Sequence, residues 1–555
     1  MAQPNPEQII TLYTAAKSLR SVHENDWRTA AAYCLPAHYA SWNTEGPSAY
    51  NQGNASARRV AYDTTGTRSL PKYVSILERL ATPAGQKWHG LTASDTSLRK
   101  KRRVRSYFDD LSAALFKMRY NPKSRFRIST NEVYTSMGVY GNGPIFIGER
   151  KSTVLSPAPG IKYVSCPLRD VFMFVDDDGE LHTVFRRFWL NVRQFRLKFP
   201  EQDMPERMKS EASKPSPDEN KYFEFVHYVC PNDDYDQEAL DARRHPIMGA
   251  YVMVEGKELV GKTFGYQSMP FKIPRTATVA GDAYGYSPAV MALAALGSAS
   301  QMKKTYLKQG NKAVDPVLLA SDDNVMNGEV DQRPGAVNFG GVDRQGRELI
   351  KPLRGGDFRV AEALLADERR DVEDSFFVTL FQILTETPEM TATEVMERVA
   401  EKAALLSPTM GRLQSELLGP MIEREIDIMS ELGTLPEMPP ELVEAEGEYE
   451  VVYTSPLAKS MYAEEVSGFM RATEMALNIA QATQDNSHLD NFNFDDAIPE
   501  ISDYMAVPAR WMHDKDTVAS KRESRNAQAQ EAELMKNAPA LASAAKTASE
   551  MGGGQ

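Results

Sequence analysis

The chain has 555 residues, of which 42% are hydrophobic and 25% charged, with a formal net charge of −12. That is apolar material for a large core and length for about three to four domains. The acidic balance argues against a protein that grips nucleic acid through massed Lys and Arg, although not against one that lets DNA slide past. Cys34, Cys166 and Cys230 are isolated, which excludes a disulfide framework or thiolate zinc site and fits small core residues made in a reducing cytoplasm. The opening MAQPNPEQII does not read as a secretory signal, and no run of ~18 apolar residues reads as a membrane span.

In chain order, residues 6–34 read as a helix with Ile9, Leu12, Tyr13, Ala16 and Leu19 on one face, ended by Pro36. A polar loop (43–57) precedes helices at 64–82, 104–120 and 125–140, the last running into Gly141-Asn142-Gly143-Pro144. From about 145 to 275 the chain is a series of short β-branched and aromatic runs separated by turn clusters. It reads as antiparallel β structure with a helical insertion near 191–212. Ser287-Pro288 then caps an Ala-rich helix that Gly310-Asn311 should stop. A β-and-loop insert leads to a second helix ending near 384. Thr391-Ala-Thr-Glu394 opens a very long helix to Leu432, in which Pro408 and Pro420 should each cause a kink or break. Strand 449–455, helix 457–482, shorter helices to about 515 and an Ala/Lys/Glu/Gln-rich tail complete the chain.

Three motifs invite chemical readings. Gly256-Lys-Glu-Leu-Val-Gly261-Lys262-Thr263 matches the phosphate-binding GxxxxGK[ST] pattern. However, Lys-Glu-Leu-Val is strand-like and Phe-Gly-Tyr-Gln-Ser-Met-Pro follows where a helix is required, so a hairpin with Gly261 at a bulge is expected. Asp176-Asp177-Asp178-Gly179-Glu180 lacks the spaced ligands of a calcium loop and reads as a solvated turn. The basic run Arg99–Arg103 reads as a solvated helix start, with contact to an acidic neighbour or passing nucleic acid as the alternative. The eight histidines show neither HxH nor HExxH spacing, and there is no GxSxG elbow. No catalytic residue, metal or cofactor is expected.

Several stretches, in order, resemble the head-to-tail connector (portal) proteins of short-tailed, T7-like bacteriophages. They are Trp27-Arg28 with Tyr33-Cys-Leu-Pro36; Tyr62-Asp63-Thr64-Thr65, Leu80-Ala-Thr-Pro83 and Trp88; Pro167-Leu168 and Val184-Phe185-Arg186-Arg187-Phe188; Pro270-Phe271, Arg275 and Gly281-Asp-Ala-Tyr284-Gly285-Tyr-Ser-Pro288; Thr391–Val395; and Tyr453-Thr-Ser-Pro456-Leu457-Ala458. Each motif alone is weak; their shared order is specific.

The resemblance implies an α+β portal fold with a helical and antiparallel β wing, a two-helix stem, an α/β clip and a helical crown, in a subunit of a ring. By that likeness the wing is 1–285, the stem helices 286–311 and 357–384, the clip 312–356 and the tunnel loop 385–390. The long kinked wing helix and return strand are 391–455, the crown 456–515 and the tail 516–555. The implied function is a virion component at one capsid vertex, assembled in the host bacterial cytoplasm, not an enzyme. It is a channel for packaging and ejection of double-stranded DNA without sequence specificity. Implied partners are copies of the same chain (twelve in the family's usual ring), the terminase motor, tail adaptor proteins, and major capsid and scaffolding proteins, with no membrane. Implied site residues are the tunnel loop Thr385, Glu386, Thr387, Pro388, Glu389 and Met390, Lys304 and Lys308 facing the channel, and Asp322, Asp323, Asn324 and Asn327 at the clip. The competing readings are a capsid or tail adaptor subunit without a through-channel and, on Gly256–Thr263 alone, a nucleotide-binding enzyme.

Overall fold

The helix Pro6–Cys34 begins where expected, because Asn5 caps it by accepting a hydrogen bond from the Glu7 amide at 3.0 Å and Pro6 fills the first turn. Its buried stripe is not the one periodicity suggested. Ile9, Tyr13, Ala16, Arg20, Trp27 and Ala31 face inward, whereas Leu12 and Leu19 are exposed. Arg20 takes the inner seat because its guanidinium donates to the carbonyls of Leu168, Arg169 and Val171 at 2.7–3.0 Å, pairs with Glu24 at 2.6 Å and lies 3.8 Å over the Phe172 ring. A buried cation whose donors are satisfied competes successfully with leucine for the core.

A computed structural model describes residues 4–528 apart from 40–41, 43–45, 47–60, 100, 151–158, 215–217, 219, 240, 316, 321–329, 332, 334, 338, 340, 344, 353–357, 380–406, 444–448, 454–455, 484, 505–510 and 514–516. The chain is a mixture of helices and antiparallel sheet. It divides into two compact units, one of residues 1–78, 125–149 and 162–427, the other of 79–124, 150–161 and 428–555.

The first unit is built on an antiparallel sheet with strand order Val171–Val175, Leu181–Leu190, Phe223–Pro231, Ile247–Met253, Glu258–Leu259; Phe264–Tyr266 also pairs with Ile247–Met253. Alternation along the strands supplies two apolar faces. Phe172, Phe185, Val226, Tyr228 and Val252 pack against Ile9, Tyr13 and Ala16 of the first helix. On the other face Phe223, Phe225 and Met253 pack against Phe195 and Met208. The expected helical insertion is two short helices, Val192–Lys198 and Glu206–Ala212, the first opened by a capping box between Asn191 and Gln194.

Gly256–Thr263 forms a turn and a strand. Glu258 and Leu259 pair with Met253 and Val252, Gly261 has φ +74°, and strand Phe264–Tyr266 stands where a phosphate-binding loop would need a helix. Asp176–Glu180 is the turn joining the first two sheet strands, closed by hydrogen bonds between Asp176 and Glu180.

In the second unit, strand His89–Ala93, which the sequence did not suggest, pairs antiparallel with Tyr449–Tyr453 beside the helix Arg102–Arg119. Its core contains a fully buried Arg119, 4.5 Å from the Trp88 ring centre, with Nη1 2.7 Å from His89 Nε2. Arginine can only donate, so His89 accepts and is neutral. Arg99 is tied down rather than solvated: it pairs with Glu450 and donates to the Ala93 carbonyl at 2.7 Å.

The long helix after 391 lies partly outside the described residues, as do Thr391–Glu394. Where it is described, Pro420 does not break it. Residues Gln414–Leu418 form a π-turn, in which the Gly419 amide bonds to the Gln414 carbonyl, and a regular helix Gly419–Glu431 follows. The wider turn makes room for the proline ring that an α-turn would press against the carbonyl four residues back. No helix among the described residues is long and apolar enough to cross a membrane.

Burial, reinforced by nearby cations, depresses the basicity of His89 and of His227, which is buried in the first unit. Their folded pKa values lie below the ~6.5 of a free imidazole, so on acidification the unfolded chain takes up protons first. Their contribution to stability is therefore complete above about pH 6.5 and falls below it, by up to about 1.4 kcal/mol per pH unit for each histidine. Thermal melts across this range should show a shallower acid-side loss in His89→Gln and His227→Gln than in the parent; equal slopes would contradict the buried-neutral assignment.

Candidate functional site

Residues 286–392 held the most distinctive sequence pattern, and their described parts form two long helices joined through a hairpin. Ser287 caps the start, accepting from the Val290 amide at 2.9 Å while its hydroxyl donates to the Val139 carbonyl at 2.7 Å. After one turn, Pro288–Met291, the helix resets at Ala292 and continues as Leu293–Val314. It passes through Gly310-Asn311, where a stop was expected. Gly310 does not take the left-handed conformation that terminates helices, so the glycine weakens the helix without ending it. Lys312, expected in the insert, is therefore helical. Strands Leu318–Ala320 and Ile350–Pro352 then pair antiparallel.

The second helix, Phe358–Ser375, is interrupted within the expected 357–384, of which residues 380–384 lie outside the described residues. It ends because Phe377 adopts φ +57°, which lets Phe376 and Val378 both be buried while Phe376 and Phe377 lie 6.1 and 6.5 Å from the Tyr73 ring. Burial of these side chains offsets the cost of a left-handed aromatic residue.

The segment Tyr62-Asp63-Thr64-Thr65 ties the two helices together. The Tyr62 amide donates to Ser300 Oγ at 2.9 Å, and Lys304 Nζ lies 5.3 Å from the Tyr62 ring centre. Asp63 receives Arg369 Nε and Nη2 on one oxygen at 2.9 and 2.5 Å, and the Thr65 amide on the other at 2.8 Å. Burial alone would raise the Asp63 carboxyl, but bonds from Thr65 and Arg369 outweigh it and hold the group below the usual carboxylate range. At Gly66 a Cβ would stand 2.8 Å from Leu296 and 2.9 Å from Cys34 Sγ, so the helix starting at Thr65 approaches closely only because that position lacks a side chain.

A second junction sets where the first long helix begins. Gly141 has φ +80°, and a Cβ there would lie 2.3 Å from the Gly285 carbonyl oxygen. Asn142, fully buried, donates to the carbonyls of Tyr140 and Gly285 and accepts from the Gly285 amide at 2.9 Å. At a third junction, Arg275 donates Nε and Nη2 to Glu416 on the π-turn, at 3.1 and 2.8 Å, and its amide to the other carboxylate oxygen at 2.7 Å.

Tyr62, Asp63 and Gly285, singled out by sequence, thus stand at junctions of the paired helices, and Arg275 at the junction with the π-turn. Their partners Ser300, Arg369, Asn142 and Glu416 were missed, since a helical Arg or Glu carries no sequence mark of its partner. Lys304 and Lys308 lie on one side of the first helix, Lys304 half-buried and Lys308 exposed, with no carboxylate in salt-bridge reach among the described residues. Asp322, Asp323, Asn324 and Asn327, and the loop Thr385, Glu386, Thr387, Pro388, Glu389 and Met390, lie outside the described residues. All three cysteines are buried, and burial pushes the Cys34 thiol up to about 12, which fits a packing role rather than a nucleophile. No cluster of metal-ligating side chains occurs among the described residues.

The chain belongs to the family described as bacteriophage head to tail connecting protein, which matches residues 6–512. It is similar to a protein named portal protein from Salmonella phage epsilon15, 24% identical over 556 residues, covering 99% of this chain and 96% of the relative. It is also similar to a probable portal protein from Bordetella phage BPP-1, 24% identical over 455 residues, covering 79% of this chain and 77% of that relative.

Asp63→Ala should lower stability by about 2–3 kcal/mol, because Arg369 loses a largely buried carboxylate partner; a chemical-denaturation midpoint equal to that of the parent would contradict the clamp. Gly141→Ala should cost at least ~2 kcal/mol through both its left-handed backbone and the collision with Gly285, whereas alanine at Gly179, which is also left-handed, meets no atom and bears the backbone cost alone, so the smaller loss there gives the comparison.

Proposed function

We propose that the chain is a portal subunit: copies close into a ring at one capsid vertex, and the ring is the channel for DNA packaging and ejection and the docking site for motor and tail. Family membership across residues 6–512, together with an antiparallel pair of long helices carrying a small hairpin at their far end, is the observation that supports this reading most directly. In it, Leu293–Val314 and Phe358–Ser375 are the stem, the hairpin with Asp322, Asp323, Asn324 and Asn327 is the clip, Thr385–Met390 is the tunnel loop and 456–515 is the crown. Twelve copies, the number the sequence resemblance implies, would make a strongly acidic assembly, since each carries −12. Such a ring repels phosphate and lets DNA pass without sequence-specific retention, and Lys304 supplies only brief contacts. The ring itself is structural: the terminase supplies the energy for packaging, and tail adaptor, capsid and scaffolding proteins meet the ring's outer surfaces in the virion.

Electron microscopy of the purified chain should show end-on rings with a central hole; solid particles or isolated monomers would overturn the reading. Deleting 318–352 should leave rings but abolish motor and tail attachment, and normal packaging by that variant would remove the clip assignment.

A further inference from the structure

The two long helices carry opposite charges on faces that no described residue of their own chain covers. Residues 283–314 contain Lys303, Lys304, Lys308 and Lys312 and no carboxylate, and Gln301, Thr305, Lys308 and Lys312 form one exposed stripe at helical spacing. On Phe358–Ser375, Leu365 and Val372 are buried, as is Phe376 just after it, and Arg369 is tied to Asp63. Leu364, Asp367 and Asp371 lie away from that core, all exposed, with Arg370 close by. Among the described residues none of Lys308, Lys312, Asp367 and Asp371 is within salt-bridge distance of an opposite charge.

Within one chain the two stripes cannot meet. Ser300 and Arg369 are held at one level by Tyr62 and Asp63. The helices are antiparallel, so Lys308 lies about 12 Å beyond that level in one direction and Asp371 about 3 Å in the other. We propose that Lys308 and Lys312 of each copy pair with Asp367 and Asp371 of the next, so that complementary stripes on the two helices set copies side by side. The occupant of each face is a second copy of this chain, and charge complementarity selects it. This rests on the ring reading above. Because copies around a ring sit at equal height, the offset of about 15 Å further requires the helices to lean across the ring axis.

The test uses full-length chains and native mass measurement at low and high salt. Lys308→Glu with Lys312→Glu makes both faces acidic, and Asp367→Lys with Asp371→Lys makes both basic. Each double variant alone should need at least roughly fivefold more protein for half-assembly at low salt. An equimolar mixture should recover the assembly of the parent, since acidic faces then alternate with basic ones, and combining all four changes in one chain should also recover it. Circular dichroism confirms that each variant is folded. If both variants assemble as the parent does, or if mixing folded variants restores nothing, the inference is overturned and the ring stands. A parent chain that remains monomeric at all concentrations overturns the ring reading and the inference together.

Discussion

The arrangement of the long helices depends on a buried carboxylate. Asp63 is removed from water, which would be costly for an unpaired charge, and four donors meet it: two from Arg369 and the amide and hydroxyl of Thr65. Because the adjacent Tyr62 amide holds Ser300, one short stretch of chain fixes two helices at once. Apolar packing alone would leave these helices free to slide, since hydrophobic contact is nondirectional. The directed bonds at residues 62–65 set their relative height.

Beyond that clamp the helices have little support of their own. From Gln301 to Asp315 the first helix has no buried residue, and Leu307 and Val314 are substantially exposed. A helix of this length in water gains most of its stability from packing rather than propensity. The exposed half is thus better suited to an assembly than to a solitary chain, which agrees with membership of a connector family. The start of the same helix is, by contrast, fixed rigidly, with Ser287 and Asn142 both fully buried and backbone crossing backbone at Gly141 and Gly285.

Local rules made much of the fold legible. Ser287-Pro288 marks a helix start because a short polar side chain satisfies free amides wherever it occurs. β-branched and aromatic runs between turn residues located the main sheet. Errors arose where distant partners overrode local preference. Arg20 displaced Leu19 from the buried stripe because three carbonyls from residues 168–171 receive it. The second long helix is interrupted after Ser375 because Tyr73, some three hundred positions earlier, completes a core that takes Phe376. Strand His89–Ala93 escaped notice since its partner is at Tyr449–Tyr453 and a five-residue run with glycine carries almost no β signal. At the candidate site, the residues that resembled a family motif were visible, while the helical partners that give them meaning were not.

The π-turn at Gln414–Leu418 has a consequence for how this sequence can change over time. Such a turn accommodates one residue more than an α-helix of the same rise, and here Glu416 in that turn is bound to Arg275. Losing one residue from that turn would restore regular winding and leave Met421, Ile422 and Met429 on the buried face, but Pro420 would then press against the carbonyl four residues back and Glu416 would be moved away from Arg275. A deletion in the regular helix after it would instead rotate every later side chain by about 100°. The π-turn is therefore the point in this helix where chain length can change by one residue with least effect on the core.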